Sequence, residues 1–424
     1  MSSALPSYEQ AARVVIAYAS ELCLSQRAAE VVKLKNACGR VLARPVCSDQ
    51  DQPPFGRSTR DGFACHAAQA SSHDLLPIAG SSRAGEAPGG PLPLGGAWEI
   101  MTGAPVPLGA DAVVMLEYVE NTGSHIRVLP PRLTRAGENI VVQGAHAKAG
   151  EEMLPIGTVL GAAQIALAAT CGYDSVEVFT RPLVAILTTG DELVPIDMQP
   201  GLGQIRNSNS LMLAAMVANS GGEPWILPTA LDTIQSLDAA LRQAATADLL
   251  LVSGGVSAGK FDLVESALVR LHARPHFKGV RIQPGKPLVF GELTPTSNEG
   301  ELRADARRLP FFGLPGNPIS SAVTFSLFAA PVLAALSGKS DSRPRFALAR
   351  LKEDSDRNGK PGLTRFLPAQ CDFNSSANEH PQVATVPWHG SGDVVAFARS
   401  NCFLVVPEDV DFLEADSIVR ILLP

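Results

Sequence analysis

The sequence predicts a multidomain protein in which a central α/β domain with a mostly parallel sheet is joined to β-rich domains. Three observations carry this. The chain has 424 residues, more than one ordinary core accommodates. Between residues 181 and about 336, fully apolar runs alternate with helical patterns, as parallel strands covered on both faces require. On either side of that stretch, short apolar runs are separated by Gly/Pro clusters, the rhythm of small β domains.

Taken in order, residues 8–35 begin with apolar positions at helical spacing (Ala12, Val15, Ile16, Tyr18, Ala19, Leu22) and predict an amphipathic helix. Strands are predicted over 75–78, 98–101, 112–116 and 126–129, and a helix over 162–170. In the central stretch, strands are expected at 183–187, 225–227, 249–252 and 280–282, with helices at 210–219, 233–245, 261–271 and 319–336. Residues 340–424 return to short alternating strands ending at 418–422 and read as a small β-barrel or sandwich. No long internal repeat is present.

Composition narrows the function classes. Hydrophobic residues make up 46% and charged ones 18%, with 37 Gly and 33 Pro, which describes a folded, turn-rich protein. A formal net charge of −7 provides no global basic field for nucleic acid or an anionic membrane, so any anion must be held by local groups. The seven cysteines are scattered and odd in number, without a C-x-x-C pair, and read as reduced thiols. No H-E-x-x-H pair supports a zinc site. The N-terminus lacks a basic segment followed by an apolar one, and the apolar stretches are too interrupted to span a bilayer. A soluble, cytoplasmic protein is the expectation.

The chemistry-bearing residues follow predicted strands. Residues 183–187 run into Thr188-Thr189-Gly190-Asp191-Glu192, and residues 249–252 into Ser253-Gly254-Gly255-Val256-Ser257-Ala258-Gly259-Lys260-Phe261-Asp262; Asp232 follows the strand near Leu227. In a parallel sheet these loops open on one rim. Glu192, Asp232 and Asp262 can then converge on a hydrated Mg²⁺, which uses one or two carboxylates together with substrate phosphate oxygens. Each acid also has a plainer reading: Asp232 suits the N-cap of a helix starting at Thr233, and Asp262 suits the first turn of a helix.

The glycines of the 253–259 loop allow close approach to a phosphate, although many such loops are only tight turns, and the Walker spacing is absent. Pro284-Gly285-Lys286-Pro287 places a point positive charge between prolines, where a solvated turn lysine is the alternative. Pro315-Gly316-Asn317-Pro318 sets the exposed N–H groups of the next helix, with Ser320 and Ser321, behind a rigid turn. These segments are the candidate donors for a small oxyanion. Nothing resembles a Ser/His/Asp set.

The same residues carry a family resemblance. Phe55, Ser58 and Asp61-Gly62-Phe63-Ala64 occur in order with Met101-Thr102-Gly103-Ala104-Pro105, Thr189-Gly190-Asp191-Glu192-Leu193, Asn207-Ser208-Asn209-Ser210, Ser253-Gly254-Gly255-Val256-Ser257, Pro284-Gly285-Lys286-Pro287 and Leu314-Pro315-Gly316-Asn317-Pro318. Any one motif is unspecific; the ordered set, spanning nearly the whole chain, resembles the molybdopterin molybdotransferases, the family of MoeA and the gephyrin E-domain. The resemblance implies four domains: a linking domain in two segments (1–47 and 143–180), an inserted β-rich domain (48–142), an α/β domain similar to molybdopterin adenylyltransferases (181–338) and a C-terminal β-barrel (339–424).

It further implies insertion of molybdenum from molybdate into adenylylated molybdopterin, with AMP released and Mg²⁺ required. A homodimer is implied in which Asp61 and Thr102 face the partner's cleft, with Lys286, Ser320 and Ser391 near phosphate or molybdate. The molybdopterin adenylyltransferase and downstream molybdoenzyme chaperones are implied as partners. Departures from the family pattern are Gln283 where some members have lysine, Asn207 in place of a common Asp, Ala145-His146 after Gly144, and Pro368 where an arginine often follows Phe366. An adenylyltransferase would be shorter. A gephyrin-type non-catalytic scaffold, the alternative reading, would call for a further fused domain.

Overall fold

A computed structural model of the chain describes residues 5–22, 27–87, 90–255, 261–294, 308–355, 362–373 and 380–424. They form two compact units: residues 1–30, 39–43 and 178–424 belong to the first, and residues 31–38 and 44–177 to the second.

The first unit is built on a six-stranded sheet in the order Glu223–Ile226, Leu183–Thr188, Leu249–Ser253, Leu309–Leu314, Val289–Leu293, Arg274–Lys278. The first four strands are mutually parallel and the last two antiparallel, so the expected mostly parallel sheet is present with an antiparallel edge. Side chains alternate between faces. Val184, Ile186, Leu249, Leu251, Phe312 and Leu314 pack under the helices Tyr8–Glu21, Ser208–Ser220 and Pro318–Leu336. Ala185, Leu187, Leu250, Val252 and Phe311 pack under Ile234–Gln243 and Phe261–Arg270. Burial on both faces is the reason these strands are apolar throughout.

Three expectations need correction here. The first helix ends at Glu21, after a capping box in which Ser7 and Gln10 satisfy each other's backbone N–H groups. Residues Ala29–Lys33, with β-branched Val31 and Val32, form a strand instead. Residues 280–282 do not join the sheet. Backbone bonds from Gly279 N to Leu288 O and from Val280 N to Lys286 O close a tight turn, and Ile282–Gln283 pairs parallel with Thr364 and Arg365 of the C-terminal barrel. Third, the strands Leu309–Leu314 and Val289–Leu293 have no counterpart among the predicted elements; periodicity alone does not separate short apolar runs of this kind from buried helix.

The long helix appears where expected, with a π turn at Phe325–Ala329. Pro331 has no N–H to donate, and the wider turn precedes the residue that would break the regular ladder. This helix is apolar enough to cross a membrane, yet 83% of it is buried against the rest of the protein; its hydropathy serves the core.

The C-terminal strands Phe346–Leu351, Thr364–Asp372, Gln382–Thr385, Cys402–Val406 and Ile418–Leu422 close into a five-stranded barrel, because Thr364–Asp372 pairs with both Gln382–Thr385 and Cys402–Val406. Leu351, Ala369, Val383, Leu404, Val406 and Ile421 fill its interior. In the second unit, a six-stranded sheet runs in the order Ala112–Met115, Gly62–Cys65, Ala97–Ile100, Leu76–Ser82, His125–Val128, Val119–Asn121. Phe63, Val114 and Ile126 pack on one face, and Trp98, Ile100 and Val113 on the other. The predicted helix lies at Ala162–Thr170 in the same unit.

Candidate functional site

The parallel strands end together. Thr188 is in register with Ser253, and Ser253 with Leu314, so the three loops that follow leave the sheet side by side, where ligands of open α/β sheets bind. They line a cleft of about 1120 Å³ whose opposite wall is supplied by Leu363, Trp388, Ser391 and Val394 of the barrel region.

Most of the predicted site residues meet there. Glu192, Ser253, Gly254, Gly255, Pro284, Gly285, Lys286, Pro315, Gly316, Asn317, Ser320 and Ser391 all line the cleft. Asp232 does not line it, but its loop reaches the same rim, since Asp232 N–H donates to Asp191 Oδ1 at 3.0 Å. The helix that follows is capped by Thr233, whose hydroxyl accepts from Ser236 N, so the N-cap reading of Asp232 is corrected. Asp262 lies in the first turn of Phe261–Arg270, with its side chain outside the described residues, as is all of Ser257.

Local chemistry explains the shape. Gly254 and Gly255 have φ of +98° and +68°, and a Cβ on them would stand 2.5 Å from Thr189 O and 2.6 Å from Val264 Cγ2 respectively; only glycine gives this loop its path. The same holds at Gly285, φ +112°, where a Cβ would meet Thr324 Cγ2 at 2.6 Å. That packing sets the Lys286 turn against the long helix. The carboxamide of Asn209 joins two loops: its Nδ2 donates to Ser253 Oγ at 3.0 Å and to Gly316 O at 2.6 Å. Asn317 Nδ2 donates to Ser391 Oγ at 2.8 Å, and Ile319 N to Ser391 O at 3.0 Å, which fastens the barrel loop to the start of the helix. Beside it, Asp393 accepts from the backbone N–H groups of Ala396 and His389, and these donors hold its carboxyl below the usual carboxylate range.

Among the described residues lining the cleft, the cations are Arg206 and Lys286 and the acid is Glu192. Lys286 stands exposed in its turn, whereas Arg206 is tied to Met198 O and Gln199 Oε1. Among the described residues no three His, Cys, Asp or Glu side chains gather closely enough to hold a metal. One cleft carboxylate, Glu192, with Asp232 on a neighbouring loop, still fits a hydrated Mg²⁺, whose remaining ligands are water and phosphate oxygens.

Asp61 and Thr102 belong to the second unit. They are directly bonded: Thr102 N and Oγ1 donate to Asp61 Oδ1 at 2.6 and 2.8 Å. The backbone donor first and the hydroxyl second lower the pKa of Asp61. Residues of the cleft that were not among the predicted site residues include Trp388 and Asn209. Asn209 lay within a quoted motif, but only the fold reveals that its amide spans two loops.

An α/β sheet opening on a glycine-lined, lysine-bearing cleft, roofed by a barrel, defines a small-molecule protein built to hold an anionic ligand at its strand ends. Comparison with known proteins gives the family. The MoeA N-terminal region (domain I and II) matches residues 6–172, the probable molybdopterin binding domain residues 185–335, and the MoeA C-terminal region (domain IV) residues 350–423. The chain is 33% identical to the molybdopterin molybdenumtransferase of Nostoc sp., over 99% of this chain and 94% of that protein. It is 32% identical to that of Bacillus subtilis, over 93% and 89%. The molybdopterin biosynthesis MoeA protein of Pyrococcus horikoshii superposes with a TM-score of 0.73 at 30% identity, covering 99% of both chains; a second structure from that organism gives 0.78 at 27%. The chain belongs to the MoeA family of molybdopterin molybdenumtransferases.

Proposed function

We propose that this protein inserts molybdenum from molybdate into adenylylated molybdopterin and releases AMP, the final step of molybdenum cofactor assembly. The observation that carries the reading is the meeting of Lys286, Glu192, the Ser253-Gly254-Gly255 loop and the Pro315-Gly316-Asn317 turn in one cleft. The transferase names of its relatives support it, and they lend nothing to the scaffold alternative.

In this reading Lys286 and the helix start at Pro318 hold the anions, and Ser320, Asn317 and Ser391 orient them. The glycine loop lets the backbone approach a phosphate. Glu192, with Asp232 and Asp262, would hold Mg²⁺, which supplies charge stabilisation at the phosphoanhydride. The side chains bind and position; two oxide ligands of molybdate leave as water, taking up protons that include those of the dithiol, when the sulfurs take its molybdenum, and water cleaves the phosphoanhydride to release AMP. Asp61 and Thr102 would be supplied by a second copy in a homodimer, and the four-domain division given by the resemblance accompanies this proposal. Cytoplasmic location and delivery to downstream chaperones belong to the same reading.

The test is direct. Purified protein given adenylylated molybdopterin and Mg²⁺ is expected to release AMP only once molybdate is added. Binding without molybdate-dependent release would overturn the proposal. Sedimentation at micromolar concentration tests the dimer, and a purely monomeric chain would remove Asp61 and Thr102 from the site.

A further inference from the structure

Thr189 sits at the end of the strand Leu183–Thr188, on the wall of the cleft. The residue is 3% exposed, and its buried Oγ1 has no hydrogen-bond partner. A hydroxyl left in this state costs free energy comparable to a lost hydrogen bond, so native proteins rarely keep one without a use for it. Its backbone N–H is engaged, donating to Ser253 O at 3.1 Å, and the unpartnered atom is the side-chain hydroxyl.

The surroundings point to a ligand. The hydroxyl oxygen lies 2.8 Å from where a Cβ on Gly255 would stand and 3.3 Å from one on Gly254. Any side chain at either position would wall the hydroxyl off from the loop. A second orphan belongs to a residue bonded to the same loops: Asn209 Oδ1 is buried and unpartnered, while its Nδ2 is committed to Ser253 Oγ and Gly316 O. Donation to a backbone carbonyl fixes which end of that amide is the oxygen. The cleft therefore keeps one hydroxyl donor and one carbonyl acceptor in reserve beside its glycine loop.

We infer that the Thr189 hydroxyl is a further substrate-binding group, which donates its hydrogen bond to a phosphate oxygen of the nucleotide seated against Gly254 and Gly255. This rests on the proposed function and deepens it: no residue of the anion site assigned above requires Thr189. The bond forms when the loop takes up its ligand, so its cost is carried by the empty protein and recovered on binding.

The experiment compares Thr189→Val, which keeps the shape and removes the hydroxyl, with Thr189→Ser, which keeps the hydroxyl. The full chain is titrated calorimetrically with AMP, the proposed product, and each variant is melted without ligand. AMP is expected to bind Thr189→Val about 10- to 100-fold more weakly than wild type, the loss that follows from one hydrogen bond to a charged group. Thr189→Ser is expected to bind nearly as wild type. Thr189→Val is expected to melt no lower than wild type, because it discards an unsatisfied buried hydroxyl. Equal AMP affinity in Thr189→Val and wild type overturns the inference while leaving the proposed function standing. A lower melting point with unchanged affinity assigns Thr189 a structural role and also overturns it. Failure of wild-type protein to bind AMP overturns both readings.

Discussion

The Asn317 carboxamide donates to the Ser391 hydroxyl at 2.8 Å, tying the start of the long helix to a loop of the C-terminal barrel across the mouth of the cleft. Both line the cleft, and each fixes the other. Asn317→Ala and Ser391→Ala are each expected to weaken AMP binding by roughly 2- to 12-fold, the range of one neutral hydrogen bond. The double variant is expected to lose little more than either single one, because the two residues act as a pair. Full additivity in calorimetric titrations would separate them.

Lys286 is an exposed cation of the cleft and stands on a turn whose geometry is fixed by Gly285 packing on Thr324. Lys286→Ala is expected to reduce molybdate-dependent AMP release by at least about 10-fold through loss of a charge-assisted contact, with the melting point unchanged. The defect is expected to deepen as salt is lowered relative to wild type, since the wild-type attraction is screened less there. Steady-state assays at two ionic strengths check both points.

Asp61 is expected to titrate below the usual carboxylate range, because Thr102 donates to it through backbone and hydroxyl. The sign follows from linkage: a carboxyl whose folded pKa is depressed contributes stability above its unfolded pKa and loses it as pH falls through the folded value. Thr102→Val removes the hydroxyl donor and is expected to move the Asp61 pKa upward in a carbon-detected NMR titration. An unmoved pKa would leave the backbone donor as the whole cause.

Burial pushes the thiols of Cys65 and Cys402 up to about 12 and raises that of Cys371. Thiolates are therefore scarce at these sites at neutral pH. In folded protein at pH 8, iodoacetamide is expected to label exposed Cys38 well before Cys65, Cys371 or Cys402, with peptide mapping as the readout. Early labelling of Cys65 would mean that the sheet of the second unit opens readily.

Phe312 is fully buried and stacks on Phe290 with centroids 4.6 Å apart, at the junction of the parallel and antiparallel parts of the sheet. Phe312→Ala is expected to cost about 3–5 kcal/mol in denaturant unfolding, a large share of a typical domain's stability. A cost below about 1 kcal/mol would show that the neighbouring rings collapse into the gap.

The α/β core was legible at Leu183–Thr188 and Leu249–Ser253, where an apolar strand is followed by a turn carrying glycine and carboxylates, and not at Leu309–Leu314 or Val289–Leu293, which lack that pattern. The helix at Ala162–Thr170 and the final strand Ile418–Leu422 fell where their patterns placed them. The failures have physical causes. Residues 280–282 look like a sheet strand, yet the backbone bonds at Gly279 and Val280 turn them toward the barrel. Asp232 looks like a helix cap, but Thr233, one residue nearer the helix, takes the bond to Ser236 N. In both cases a neighbour competes for the same backbone partners, and local pattern does not rank the competitors.

By itself the chain order named the candidates for the chemistry, since carboxylates, glycines, Lys286 and the Pro-Gly turns stand at or near predicted strand ends in the sequence. Tertiary structure decided which of them share a space. The register of Thr188, Ser253 and Leu314, the barrel loop carrying Ser391 and the unsatisfied hydroxyl of Thr189 arise from contacts between segments far apart along the chain. Such contacts depend on how faces pack, and side-chain periodicity specifies that a face is buried without naming the surface that covers it.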